Sequence, residues 1–226
     1  MDIRRVEHPV VRRAAEGLHN FNSRHPWSHN DHFHGWILAN LPAHRGTAID
    51  IGCGQGELVA QLATRFAQVR GTDLDAGMRA EAVQRCAGLA NVTIADTQLT
   101  ELDGPVDLIT MIAVLHHLDA EQALIDIKRL LNPGGRFLAV GLAAPASIRD
   151  TAWDLASAVT NPLIGLIKHP RPARGGPVPP PFPVRDPRLS FDELHAVVRD
   201  IMPGAEMRRR LAFRHTIAWT KPNMEA

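Results

Sequence analysis

Residues 48–58 read AIDIGCGQGEL, and three of the five positions 52–56 are glycine. Glycine costs backbone entropy and contributes no packing, so such a cluster is useful only where the chain must turn with positive φ or let a ligand approach its backbone. The apolar run before it reads as a strand. After it, Leu58, Leu62 and Phe66 recur at helical spacing. A strand, a glycine turn and a helix together restrict the chain to folds that bind ligands at the C-terminal edge of a parallel sheet.

The following sequence repeats that unit. QVRGTDLD predicts a second strand, AGMRAEAVQRC a helix, NVTIAD a third strand, and VDLITMIAVL a fourth that is apolar enough for burial on both faces. DAEQALIDIKRLL is the next helix, with Asp119 as N-cap; NPGG stops it and RFLAVGL is a fifth strand. SFDELHAVVRDIM carries a capping box at Ser190 and Glu193, and AEMRRRL and FRHTIAWT read as two closing strands joined tightly near Ala212. The expected fold is α/β, a seven-stranded doubly wound Rossmann-like sheet with the last strand antiparallel, plus an N-terminal helical cover. One domain over 1–226 is expected, with a helical cover at 1–45, a cofactor-binding core at 46–142, a helical and Pro-rich lid at 143–189, and the final helix and strands at 190–226.

Composition sets the partner class. Lys and Arg number 25 against 24 Asp and Glu, a net charge of +1, so no global field draws the chain to nucleic acid or an anionic membrane. A small-molecule partner is expected. The two cysteines, Cys53 and Cys86, form no metal-ligand spacing, and no apolar segment is long enough to span a bilayer. A cytoplasmic monomer or homodimer follows. In RRRLAFRHT, strand alternation puts Arg208 and Arg210 on one face and Arg209 on the other.

Asp73 ends the second strand about 20 residues after the turn, where a carboxylate can accept bonds from both hydroxyls of a ribose. The glycines form GxGxG, with Glu57 where a dinucleotide fingerprint has glycine. That mismatch disfavours an NAD-linked oxidoreductase. DIGCGQG, GTDLDAGM, IADTQL, VDLITMIAVLHHL and LLNPGGRFL, in this order and spacing, resemble the class I S-adenosylmethionine-dependent methyltransferases over residues 46–142. The resemblance implies S-adenosyl-L-methionine as cofactor and S-adenosyl-L-homocysteine as product. It further implies that Asp50 and the backbone of Gly52, Cys53, Gly54 and Gly56 surround the methionine part. Asp73 is implied to hold the ribose, Leu74 to pack on the adenine, and Asp96 and Thr97 to lie by the adenine amino group. Ile112 and Ala113 would lie beneath the methionine chain. Asp50 equally suits a cap of the turn, and Leu74 ordinary core.

Methyl transfer is an in-line displacement that needs positioning, and a base only when the acceptor must lose a proton. His29, His32 and His34 crowd the segment before the first strand, where a helix starting near Asn30 or Asp31 would put His29 and His32 at its start. Solvated or core histidines are the alternative. His116, after the fourth strand, is the other candidate base, or else a polar residue turning the chain out of the strand. The catalytic candidates are therefore His29, His32 and His116, and the scattered histidine spacing predicts no metal site. The expected activity is methyl transfer to oxygen or nitrogen of a small organic acceptor. The alternative outside enzymology is a non-catalytic S-adenosylmethionine-binding regulatory protein.

Overall fold

A computed structural model describes residues 31–146, 186–210 and 214–223. His29, most of the expected lid and the join at Ala212 lie outside them. Seven strands, β1 (Thr47–Ile51), β2 (Gln68–Thr72), β3 (Val92–Ala95), β4 (Val106–Ile112), β5 (Leu131–Gly141), β6 (Glu206–Arg210) and β7 (Arg214–Thr220), form one sheet in the order β3-β2-β1-β4-β5-β7-β6. β1 to β5 run parallel, and β7 is antiparallel to both of its neighbours. The strand order reverses between β1 and β4, which opens the crevice where such sheets take their ligands.

Five helices cover the described sheet: α1 (His34–Ala39), α2 (Glu57–Ala63), α3 (Ala76–Cys86), α4 (Ala120–Leu130) and α5 (Phe191–Ile201). Their starts follow side-chain chemistry. Asp75 accepts from the Met78 N–H at 2.9 Å and Asp119 from the Gln122 N–H at 3.0 Å, each satisfying a donor that the first helical turn leaves open. Central strands bury both faces, as their apolar runs require. Ile49, Ile109, Phe137 and Ile217 belong to the core that includes Leu124, Ile127 and Val198 of α4 and α5. Ala48, Leu108 and Leu138 belong to the opposite core, with Ile37, Leu58, Leu62 and Ala82 of α1, α2 and α3.

Three boundaries differ from the sequence reading. β4 ends at Ile112 because Ala113 adopts φ +59° and turns the chain, so residues 115–117 form a 3-10 turn instead of more strand. β5 begins at Leu131, with NPGG carried inside a strand whose register shifts between its pairings to Val106 and Leu108. The pre-strand helix opens as a 3-10 turn at Asp31–Phe33, and no side chain caps α1 at its Phe33 N-cap.

The capping box of α5 is formed as expected. The Ser190 N–H donates to Glu193 Oε2 at 2.8 Å and the Glu193 N–H to Ser190 Oγ at 3.3 Å. Ser190→Ala should lower stability by about 1 kcal/mol, a fall of roughly 2–4 °C in Tm for a chain of this size. Differential scanning calorimetry reads this directly, and an unchanged Tm shows the cap to be idle.

Candidate functional site

The glycine turn is fastened to the end of β2. The Gly52 and Cys53 N–H groups both donate to the Thr72 carbonyl, at 2.7 and 2.9 Å, and the Gly54 N–H donates to Asp73 Oδ2 at 2.8 Å. Asp73 Oδ1 accepts from the Asp75 N–H at 2.9 Å. Each carboxylate oxygen therefore takes one backbone donor, and an ionised carboxylate has about four acceptor sites, so further hydroxyl donors can be accommodated. Gly52 has φ +70°, and a Cβ there would collide with Val114 beyond β4. Gly54 has φ +52°, with nothing within 4 Å of where its Cβ would stand, so the middle of the turn offers bare backbone to open space.

Around the turn, each strand end contributes one group. Asp50 is buried on β1 and accepts from the Thr110 hydroxyl at 2.6 Å, across the β1–β4 register. It bonds across the sheet and does not cap the turn. Burial first, and then the charge of Asp73, push its carboxyl up to about 7, while the Thr110 bond opposes the shift. Burial likewise pushes the Cys53 thiol up, so it is no nucleophile. Leu74 is 70% exposed, which rules out the core alternative and leaves a large apolar side chain beside Asp73. Asp96, largely exposed at the end of β3, pairs with Arg79 at 3.7 Å, and Arg79 Nη1 also donates to the Asp73 carbonyl at 2.9 Å. Arg79, which the sequence reading gave no role, links the two acids. Thr97 is half-buried next to Asp96. Ile112 closes β4, and the Ala113 N–H donates to the Val140 carbonyl at 2.7 Å, tying the β4 end to β5.

The histidines separate. His32 is exposed, with its ring edge-on to Phe33 at 5.2 Å. His34 is buried, and its Nδ1 meets Gln61 Nε2 of α2 at 3.1 Å, which gives it a packing role. His116 is half-buried in the turn after β4, and its Nδ1 is buried without a partner among the described residues. Burial, with the charges of His117 and Arg214, holds its pKa down to about 4. A second imidazole stands at the same edge. His215, near the start of β7, is buried opposite Gly141 of β5, and its Nε2 has no partner among the described residues. A Cβ on Gly141 would come within 2.5 Å of that nitrogen, so the missing side chain makes the room for the ring. Phe191 packs edge-on against it at 6.0 Å. Burial, and then Arg214, His116 and Arg209, hold the His215 pKa down to about 3. The sequence reading missed His215. Its signal was the alternation of His215, Ile217 and Trp219 on one strand face, which puts a histidine at a core position.

A family model described as a methyltransferase domain matches residues 49–139. An uncharacterized methyltransferase of Mycobacterium tuberculosis is 33% identical over 207 residues, covering 87% of this chain and 98% of its own length. The chain belongs to the class I S-adenosylmethionine-dependent methyltransferases. Trans-aconitate 2-methyltransferase of Deinococcus radiodurans is 35% identical over 116 residues, half of this chain and 43% of its own. Among solved structures, the magnesium protoporphyrin IX methyltransferase of Synechocystis with bound S-adenosylhomocysteine superposes with TM-score 0.53 at 20% identity, covering 95% of this chain and 87% of that one. The [4+2]-cyclase SpnF superposes with TM-score 0.58 at 15% identity, covering 85% and 82%. These two likenesses speak for the fold of the methyltransferase alone. S-adenosylmethionine is the cofactor, and the bare Gly54 backbone beside a preset Asp73 carboxylate fits a ligand that carries hydroxyls.

The raised pKa of Asp50 has a measurable sign. Between about pH 4 and 7 the folded methyltransferase holds a proton that the unfolded chain releases, so this group's contribution to stability falls as pH rises through that window. His116 and His215, held neutral, act in the opposite direction and are the same in an Asp50 variant. In the cofactor-free chain, Asp50→Asn should therefore raise Tm relative to wild type by at least about 2 °C more at pH 8 than at pH 5. A Tm difference independent of pH would mean that Asp50 titrates as an ordinary carboxylate.

Proposed function

We propose that this methyltransferase acts on oxygen or nitrogen of a small organic acceptor, with the cofactor held at the ends of β1 to β4 and the acceptor beside His116. The observation that carries the reading is the Asp73 carboxylate, fixed by two backbone N–H groups at the end of β2 with acceptor capacity to spare. Bound S-adenosylmethionine supplies an electrophilic methyl group on a sulfonium.

The chain's own residues supply position and proton management. Asp73 holds the ribose hydroxyls and Leu74 covers the adenine, while Asp96 and Thr97 lie by its amino group. Asp50 and the backbone of Gly52, Cys53, Gly54 and Gly56 line the methionine part, with Ile112 and Ala113 beneath it. His116 is the base that accepts the acceptor's proton. Its imidazole is neutral throughout the physiological range, so the lone pair is available without prior deprotonation. The net charge of +1 supports a small acceptor over a nucleic acid.

Asp73→Ala should weaken S-adenosylhomocysteine by about 1.5–3 kcal/mol, that is tenfold or more, in a calorimetric titration. Unchanged affinity would remove Asp73 from the cofactor site. With the true acceptor from a turnover panel, His116→Gln should lose roughly 10²–10⁴-fold in kcat while cofactor affinity stays the same. The wild-type rate should rise with pH around the depressed imidazole pKa of about 4, and stay flat through the range where a free histidine titrates. Near-normal turnover in the variant would leave positioning as the whole of catalysis.

A further inference from the structure

The arginine run near the C-terminus divides as strand alternation predicts, and its two halves do different things. Arg209 lies over the Phe191 ring at 3.9 Å and pairs with Asp192 at 3.3 Å, on the α5 side. Arg208 and Arg210 face the other way. There, β7 presents the small residues Thr216, Ala218 and Thr220 as a floor, β6 raises Glu206, Arg208 and Arg210 along one side, and β5 raises Arg136 along the other. Trp36 and Asn40 close the rim, and the resulting groove has a volume of about 350 Å³. That lies at the lower end of the range for small-molecule sites, about 300–1,000 Å³.

Three guanidinium groups share this groove with one carboxylate, Glu206, which pairs with Arg208 at 2.9 Å. Three positive charges less one negative leave a surplus of two. Arg136 donates from Nη1 to the Asn40 carbonyl at 2.6 Å, yet its Nε is buried with no acceptor among the described residues. Burial lowers its pKa while Glu206 raises it. Buried N–H donors are almost always paired, so this one stands out as a donor with capacity to spare at the wall of the groove. Arg210 uses Nε on the Thr216 hydroxyl at 3.1 Å, which turns its remaining guanidinium donors along the groove.

We propose that this groove binds a phosphate monoester, the phosphate of a small phosphorylated organic molecule. A monoester carries about 1.5–2 negative charges at neutral pH and three strong acceptor oxygens, which matches a surplus of two charges in planar donor forks. A carboxylate would neutralise half as much. Trp36 offers an apolar surface for the organic part. Arg136 lies five residues before Gly141, where β5 reaches the edge with the glycine turn, a separation of about 17 Å along an extended strand. The Arg136 end of the groove is thus remote from that edge, whereas Thr216, paired with Val140, and Arg210, paired with Arg214 on a strand two places out from β5, reach its level; binding can be assayed without turnover.

The test titrates the full chain, at fixed ionic strength, with phenyl phosphate, inorganic phosphate, benzoate and a short oligouridylate. Calorimetry and the arginine Nε–Hε correlation spectrum are the readouts. Phenyl phosphate should bind one per chain, more tightly than inorganic phosphate or benzoate, and move the Arg136 Hε signal. Arg136→Gln and Arg210→Gln should each weaken it about tenfold or more, whereas Arg129→Gln, on the α4 surface, should not. S-adenosylhomocysteine affinity, measured alongside, should be the same in all three variants, which separates this site from the cofactor reading. The assignment is overturned if benzoate or inorganic phosphate binds as well as phenyl phosphate, or if both groove variants keep full affinity. Tighter binding of the oligouridylate overturns it in favour of nucleic acid.

Discussion

Two acceptors at the end of β2 hold the functional edge together. The Thr72 carbonyl takes two N–H groups of the glycine turn, and the Asp73 carboxylate takes a third, so the loop after β1 is pinned to the neighbouring strand before α2 begins. This fixes the bare backbone of Gly54 and the orientation of Asp73 relative to each other, the geometry a cofactor site needs in advance of binding. Gly52, Gly54 and Gly56 all have positive φ, a sequence of conformations that side-chain-bearing residues adopt only under strain. Val114 then closes against Gly52 from the far side of the crevice, and Ala82 of α3 lies 3.0 Å from where a Gly56 Cβ would stand. The turn is therefore compressed on two sides and open at its middle.

Electrostatics divide that edge in two. On the β1–β2 side, burial first and then the neighbouring Asp73 raise the Asp50 carboxyl to about 7, so near neutral pH it is partly protonated. On the β4–β7 side, burial first and then nearby positive charge, Arg214 acting on both, keep His116 and His215 neutral, with pKa values of about 4 and 3. The two halves are shifted for the same reason, since desolvation disfavours whichever form is charged. Their separation leaves carboxyl groups on one side of the edge and uncharged imidazoles on the other. The buried thiol of Cys53, on the β1–β2 side, is held protonated and inert.

The strand and helix rhythm was legible in the sequence because apolar period, glycine and capping residues act over one or two turns of chain. Asp75, Asp119 and Ser190 open their helices through bonds to residues three positions on. Legibility failed where a long-range contact overrode the local pattern. The apolar run after Val106 continues to Leu115, yet β4 stops at Ile112, where the Ala113 N–H turns to the Val140 carbonyl. NPGG reads as a helix stop, and so it is, but pairing with β4 and β7 draws its residues into β5. Of the described histidines before β1, only His34 packs inward, and it does so onto Gln61 of α2, a helix that no local pattern connects with it.

By itself, the sequence determined the fold class, the crevice and the acid at the end of β2, because a glycine turn and an alternating strand–helix pattern admit few other solutions. It also determined that Arg208 and Arg210 part from Arg209, since alternation is a property of any strand. Tertiary structure alone decided which groups meet. Register put Thr110 beside Asp50, sixty residues away, and so moderated a pKa that burial raises. Register also set His215 over Gly141 and brought Arg136 to the groove of Arg208 and Arg210. Local pattern fixes which face a side chain occupies. Burial and the identity of its neighbours depend on strands far apart in the chain, and these set its charge and its free hydrogen-bonding capacity.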